Sequence, residues 1–427
     1  MPTTRTAPSP TPPAGRPSAA DVDRAAARLG DTTRLTPLRH NRRLSELVGA
    51  EVHLKREDVQ TVRSYKVRGA SNFIASLGVD ERERGVVCAS AGNHAQGVAH
   101  ACAALGVHAR IYLPRTTPRQ KRQRVRDLGG EWVEVVVGGD LYDEAAAAAY
   151  ADAERSGATL VHAFDEPRTV AGQGTVIREA VEQLGVPPDV VVVPVGGGGL
   201  LAGTITWLAE RHPGTRVVGV EPGGAASMRA ALDAGRPVDL PRVDPFVDGA
   251  AVSRAGTVTF PIIRDSGCEV VTVDEGAVCV EMLALYQTDG IIAEPAGALA
   301  TAALPELGIQ SGEKVIAIVS GGNNDVTRYA EVVERALVHE GRKHYFLVEF
   351  PQEPGALRRF LDEVLGPEDD ITLFEYVKHN NRETGPALVG IELGSPATLP
   401  ALLARMEAAP PHVERVPPDS PLFRFIL

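Results

Sequence analysis

Lysine is scarce in this chain. Lys55, Lys66, Lys121, Lys314, Lys343 and Lys378 are six among 44 cationic residues, and arginine supplies the rest. Where arginine serves as the general cation, a retained lysine invites a specific role. A positive balance is lacking too: the formal net charge is −11, which argues against a nucleic-acid partner, since phosphate backbones need a basic face. A local cationic pocket for a small anion stays open. Cysteine is limited to Cys88, Cys102, Cys268 and Cys279, in apolar contexts and with no CxxC pair. Neither a zinc site nor a disulfide framework is indicated, and buried thiols in a reducing cytoplasm are expected. No run approaches the roughly 18 apolar residues of a membrane span. Residues 1–19, rich in Pro, Thr, Ala and Ser, lack the apolar core of a secretory signal, and their prolines oppose the amphipathic helix of a transit peptide. They read as a disordered tail.

What is present is ordinary for a soluble protein with a large core: 427 residues, enough for two or three domains, 44% hydrophobic and 23% charged. Residues 20–29 read as a helix entered from Ser18 or Asp21, and Glu51–Lys55 as a strand. From Lys66 onward one unit repeats: apolar strand, glycine-rich turn, helix. Gly85–Ala89, Ser90-Ala91-Gly92-Asn93 and His94–Leu105 form the first such set. Arg110–Leu113 and Trp132–Val137 are further strands, and Gly138-Gly139-Asp140 opens the alanine-rich helix 141–155. Asp189–Val195, Gly196–Gly199 and Leu200–Glu210 form another set, followed by the strand Arg216–Val220. Lys314–Val319, the turn Ser320-Gly321-Gly322-Asn323-Asn324 and a helix over Asp325–Leu337 form the last. Strands alternating with helices predict a parallel sheet covered on both faces, with ligands beyond the carboxyl ends of the strands, where these turns lie.

The pattern changes near residue 342. Strands at Tyr345–Phe350, Ile371–Val377, Ala387–Leu393 and Leu422–Leu427, with helices at Pro354–Leu365 and Ala397–Ala408, give the order βαββαβ of a ferredoxin-like module. It holds no catalytic constellation and reads as a binding or regulatory domain.

The turns carry the chemistry. Gly196-Gly197-Gly198-Gly199-Leu200 lets backbone amides close on an anion at a helix N-terminus, which suits a phosphate. Gly197-Gly198-Gly199-Leu200-Leu201-Ala202 also satisfies G-x-G-x-x-A, with Glu221 at the distance of a ribose-binding acid, so this turn alone leaves a nicotinamide dehydrogenase open. Ser90-Ala91-Gly92-Asn93-His94 can present amides to a carboxylate, and Asn93 can donate to a cofactor oxygen. His94, in the first turn of a helix, reads as structural before it reads as a base. Ser320 can bond a neutral ring nitrogen, although a turn serine needs no such role. Lys66 can condense with an aldehyde. A lone lysine is ordinarily a solvated charge. Beside a phosphate cradle and a polar group for a ring nitrogen, it points to pyridoxal phosphate, whereas a dehydrogenase leaves Lys66 unexplained.

Ser64-Tyr65-Lys66-Val67-Arg68-Gly69-Ala70, Ser90-Ala91-Gly92-Asn93-His94-Ala95-Gln96-Gly97, Gly196–Leu200 and Ser320-Gly321-Gly322-Asn323 resemble the motifs of the fold-type II pyridoxal-phosphate enzymes, and most closely the biosynthetic threonine dehydratases. His162-Ala163-Phe164-Asp165 and Ala171-Gly172-Gln173-Gly174-Thr175 resemble that branch. Phe350-Pro351-Gln352-Glu353-Pro354-Gly355-Ala356-Leu357 and Asn381-Arg382-Glu383-Thr384-Gly385-Pro386 resemble its ACT-like tail. The resemblance covers residues 20–427. It implies a two-lobed catalytic domain of tryptophan synthase β-like fold over 20–341, with a small lobe at about 53–155 inserted in the large one, and an ACT-like regulatory domain over 342–427.

By the same resemblance Lys66 would bond the cofactor and remove the substrate's α-proton, and Asn93 would bond the phenolic oxygen. Gly196, Gly197, Gly198, Gly199 and Leu200 would hold the phosphate, and Ser320 would face the ring nitrogen. Ser90, Ala91, Gly92, Asn93, His94 and Gln96 would bind the substrate, with Glu294 and Gly249 lining the site. The implied reaction is dehydration and deamination of L-threonine to 2-oxobutanoate at the start of isoleucine synthesis, with an L-serine dehydratase or another fold-type II lyase as the alternative, in a cytoplasmic homodimer or homotetramer sensing isoleucine, often with valine opposing. Two departures stand out. Related serine racemases place a serine base where Ala91 stands, so elimination without racemisation is expected. Those racemases also bind a divalent metal after a strand ending like Val220-Glu221-Pro222. Glu221 and Ala225 fit that pattern but Ser227 replaces a carboxylate, so no metal is expected.

Overall fold

A computed structural model of the chain describes residues 15–376, 383–409, 412–418 and 420–426. Residues 1–14 of the expected tail, Val377, Asn381-Arg382 of the quoted tail motif, and Leu427 lie outside them. The described chain falls into two compact units. One runs through Glu275 and takes in Leu285–Asn324; the other joins Gly276–Ala284 to Asp325 onward.

The first unit holds ten strands: β1 (Leu38–His40), β2 (Glu51–Arg56), β3 (Val86–Ala89), β4 (Ala109–Leu113), β5 (Val133–Val137), β6 (Thr159–Leu160), β7 (Val190–Pro194), β8 (Arg216–Pro222), β9 (Glu269–Val273) and β10 (Lys314–Val319). They form a six-stranded sheet, β1-β2-β10-β7-β8-β9, and a four-stranded sheet, β5-β4-β3-β6. All pairings are parallel except β1 with β2. A central parallel strand buries both faces and reads as an unbroken apolar run. Val190–Val193 and Val315–Val319 do so, each residue wholly buried. The adjacent β10 and β7 end at Val319 and Pro194, and their carboxyl ends deliver the Ser320 and Gly196 turns side by side.

Helices flank the sheets. Ser18 caps Ala19–Leu29 in a capping box with Asp21, and Pro167 opens Pro167–Leu184 behind the Glu166 cap. This last helix carries the Ala171-Gly172-Gln173-Gly174-Thr175 motif, whereas the short helices Arg42–Val48 and Val79–Arg84 carry no signal singled out in the sequence.

The second unit is a sheet of β11 (Lys343–Pro351), β12 (Asp370–Tyr376), β13 (Thr384–Glu392) and β14 (His412–Val416) in the order β12-β13-β11-β14, antiparallel throughout. Helices Ala356–Val364 and Leu399–Ala408 pack Phe360, Val364, Leu402 and Met406 against Phe346, Val348, Val389 and Ile391. The arrangement is ferredoxin-like, with two corrections. The last strand is His412–Val416, bounded by Pro417 and Pro418, and the apolar Phe423–Ile426 is a short helix. Ser420 accepts the Phe423 N–H through both its carbonyl and Oγ, and the Phe423 ring meets Tyr345 edge-on at 5.6 Å. The helix expected from Asp325 begins at Tyr329, after a 3₁₀ turn at Val326–Arg328 in which Asp325 accepts from Thr327 N–H.

Candidate active site

Lys66 is the first residue of the helix Lys66–Ala75. The preceding loop is tied to the turn after β10: Tyr65 N–H donates to Ser320 O at 3.0 Å, and Gly322 N–H donates to Arg63 O at 2.9 Å. One turn into the helix, the buried Arg68 grips the Glu57 carboxylate with two bonds, Nε at 2.8 Å and Nη2 at 2.7 Å, and reaches Glu179 at 2.9 Å through Nη1. Lys55, also buried, donates to Glu179 at 2.5 Å and to Thr36 O at 2.7 Å. Burial alone would push the Glu57 carboxyl up, but the Arg68 and Lys55 cations outweigh it and hold it below its ordinary range. This balanced cluster of two cations and two carboxylates fixes the helix that carries Lys66.

Lys66, Asn93, Gly196 and Ser320 line one pocket, together with Tyr65, Glu294 and the loop of Gly249 and Ala250. Lys66 Nζ donates to Ala163 O at 3.2 Å, and Ser320 Oγ to Ala296 O at 3.2 Å. Both bonds are long, so either group can turn to a ligand. Glu294 is buried; burial and the nearby Asp248 charge raise its carboxyl to about 7.

The glycine turn is a cradle of amides. The helix Gly199–Arg211 starts inside it, so its first N–H groups have no partner of their own. From Gly196 to Leu201 the backbone N–H groups find no acceptor among the described residues. A Cβ at Gly197 would lie 2.3 Å from the Phe164 ring, and Gly198 sits at φ +89°, where L side chains are strained. The far side is pinned by Thr259, whose Oγ1 donates to Gly197 O at 2.6 Å, while Asp165 takes the N–H groups of Thr257 and Val258 at 2.7 and 2.6 Å. Such a cradle fits a phosphate.

Other named residues lie apart from the pocket wall. Ser90, Ala91 and Gly92 form the half-buried turn before the helix Asn93–Leu105, and Ser90 Oγ accepts from Gly92 N–H. His94 points inward: its Nε2 bonds Val161 O at 2.9 Å, and burial, with help from the Lys66 charge, lowers it to about 3. A neutral imidazole spent on a carbonyl is a pin, which leaves its backbone for any ligand. Gln96 is buried with its Oε1 unpartnered, and Leu200 belongs to the core. Glu221 is spent as well. Its two oxygens accept from Met228 and Arg229 N–H at 2.7 and 2.8 Å, at the start of the helix Ser227–Ala234, so the acid that a ribose would need is occupied. Asn323 and Thr259 were missed as individual residues, since each works by touching a distant partner.

The family model described as pyridoxal-phosphate dependent enzyme matches residues 30–321, and that described as the C-terminal regulatory domain of threonine dehydratase matches residues 334–426. The biosynthetic L-threonine dehydratase IlvA of Mycobacterium tuberculosis is 63% identical, over 96% of each chain, and that of Bacillus subtilis is 48% identical, over 92% of this chain and 93% of the other. Among solved structures, the processed form of threonine deaminase isoform 2 from Solanum lycopersicum superposes with a TM-score of 0.70 at 37% identity, covering 77% of this chain and 99% of that one. Maize serine racemase gives 0.70 at 31% identity, covering 76% and 99%.

Proposed function

This chain belongs to the biosynthetic threonine dehydratases within the pyridoxal-phosphate dependent enzymes, and on that premise we propose that it converts L-threonine to 2-oxobutanoate and ammonia, opening isoleucine synthesis. The observation that carries the reading is the meeting of Lys66, Asn93, Gly196 and Ser320, from four separate segments, in one pocket. Pyridoxal phosphate, when bound, supplies an electron sink for the charge left at the substrate's α-carbon. Lys66 Nζ would hold the cofactor's aldehyde and, once the substrate's amine has displaced it, would be the free amine that takes the α-proton. The free amides of Gly196 to Leu200 hold the phosphate, Asn93 donates to the ring oxygen, and Ser320 Oγ faces the ring nitrogen. The backbone of Ser90 to His94 binds the substrate carboxylate, with Gln96 behind it. Residues 20–341 form the catalytic domain, and 342–427 an ACT-like domain that senses isoleucine, with valine opposing. The enzyme works as a homodimer or homotetramer in the cytoplasm.

The wild-type protein is expected to be yellow and to release 2-oxobutanoate from L-threonine; Lys66→Ala is expected to be inactive. A colourless wild type that binds a nicotinamide dinucleotide would overturn the reading. Ala91 has no proton to exchange on the opposite face, so D-threonine and D-serine should be absent from the products, and their accumulation in a chiral assay would refute that point. With both Glu221 oxygens engaged, no divalent metal is needed. Loss of turnover in EDTA, restored by magnesium or calcium, would contradict this.

A further inference from the structure

Two residues of the pocket lining, Asn93 and Glu294, close a hydrogen-bonded ring with Asn323. Asn93 Nδ2 donates to Glu294 Oε1 at 2.6 Å, Asn323 Nδ2 donates to Asn93 Oδ1 at 2.6 Å, and the Asn323 backbone N–H donates to Glu294 Oε2 at 3.2 Å. They come from the start of the helix Asn93–Leu105, the turn after β10, and the N-cap of the helix Pro295–Ala303. The polarity of the ring is set by the main chain. Asn323 Nδ2 also donates to Val62 O at 2.7 Å. A carbonyl only accepts, so the Asn323 nitrogen must face Val62, and its second hydrogen must then meet an acceptor, which is Asn93 Oδ1. That turns Asn93 Nδ2 toward a carboxylate that also only accepts when ionised. Flipping either amide would break these bonds.

Space enforces the same arrangement. A Cβ at Gly321 would lie 2.2 Å from Glu294 Oε1. Glu294 is 4% exposed, and no cation among the described residues bonds it directly. A buried carboxylate without a paired cation is costly, and its keeping here calls for a task.

We propose that Glu294 and Asn323 are positioning residues: they lock the Asn93 amide so that its remaining Nδ2 hydrogen, which has no acceptor among the described residues, is presented to the ring oxygen of pyridoxal phosphate. The inference rests on the cofactor reading above and assigns the contact with that oxygen to three residues instead of one. A hydrogen bond given to an ionised oxygen favours the ionised form. Its loss therefore shows both in cofactor affinity and in the pH midpoint of the bound cofactor's visible band. Lys66, Asp248 and Lys121 are unchanged in every variant below, and Asn323→Ala keeps the Glu294 carboxyl as well, whereas Glu294→Gln removes its charge.

Full-length protein freed of cofactor is titrated with pyridoxal 5′-phosphate and followed by visible absorbance, with the cofactor raised until Asn93→Ala saturates. Glu294→Gln and Asn323→Ala should each weaken affinity about tenfold, and Asn323→Ala, which keeps the Glu294 charge, should also raise the midpoint, whereas in the Asn93→Ala background either should add less than about twofold, because coupled residues are non-additive. Asn323→Asp keeps the size but sets an acceptor against Val62 O, and it should cause a comparable loss if Asn323→Ala does not fold. Effects of equal size in both backgrounds, or wild-type behaviour of the single variants, would overturn the proposal. A wild-type chain that develops no visible band would instead strike the cofactor reading itself.

Discussion

Gly197 leaves no room for a β-carbon, because the Phe164 ring already occupies the place. Gly197→Ala should therefore push the turn off its neighbour, at the cost of about 1–3 kcal/mol that overpacking typically brings. Cofactor affinity should fall with it, and Phe164→Leu should restore part of the loss in the same titration. If Gly197→Ala binds the cofactor as well as wild type does, the cradle is not rigid. The glycine run was legible as an anion turn because four glycines between a buried strand and a helix have few other uses. The reason for each glycine was not, since Phe164 reaches Gly197 only through the fold. Lys66, Asn93 and Ser320 were legible for a similar reason: each sits in a turn whose chemistry is local. Asn323 and Glu294 bond Asn93 from distant parts of the chain, and no spacing in the sequence announces that.

Helices transmit these positions. The helix Lys66–Ala75 is held through Arg68, whose guanidinium serves Glu57 and Glu179 at once. Arg68→Leu would leave two carboxylates facing Lys55 alone, and breaking a buried pair costs about 3–5 kcal/mol. Urea unfolding should show a loss of that order, and a loss below about 1 kcal/mol would mean that water reaches the cluster. The helix Ser227–Ala234 makes a different case. Burial raises Glu221, at its start, to about 7 despite the two amide bonds it accepts. A carboxyl raised above its unfolded value near 4.5 binds more protons folded than unfolded between pH 4.5 and 7, so its contribution to stability falls as pH rises through that window. Glu221→Gln stays neutral and escapes this. Its stability relative to wild type should improve by about 1–3 kcal/mol between pH 4 and pH 8, as measured by chemical unfolding at both. A difference that stays flat or moves the other way would show that Glu221 ionises freely. None of this is visible in the sequence, where Glu221 stands at the distance of a ribose-binding acid and in part of a metal pattern that Ser227 leaves incomplete.

At the scale of the whole chain, long elements were legible and short ones were not. Val190–Val193 and Val315–Val319 could only be central parallel strands, whereas β14 is five residues of mixed polarity between prolines, and the more apolar end of the chain drew the assignment away from it. The division of the chain likewise depends on a contact no local pattern carries: Gly276–Ala284, from the middle of the helix Glu275–Gln287, belongs to the second unit, with Val278, Cys279 and Met282 buried. This shapes the last prediction. Nearly all of the tomato threonine deaminase structure matches only 77% of this chain, so a comparable unit exists without a counterpart to the remainder. A chain ending at Asn324 should therefore fold and turn over L-threonine, but with a lower melting temperature, since it lacks the rest of the unit to which Gly276–Ala284 belongs. If the tail is the sensor, isoleucine should depress 2-oxobutanoate formation by the full chain and leave that of the shortened chain unchanged. Inhibition of both to the same extent would place isoleucine in the catalytic pocket, where it would compete with threonine, and would remove the tail from the regulatory account.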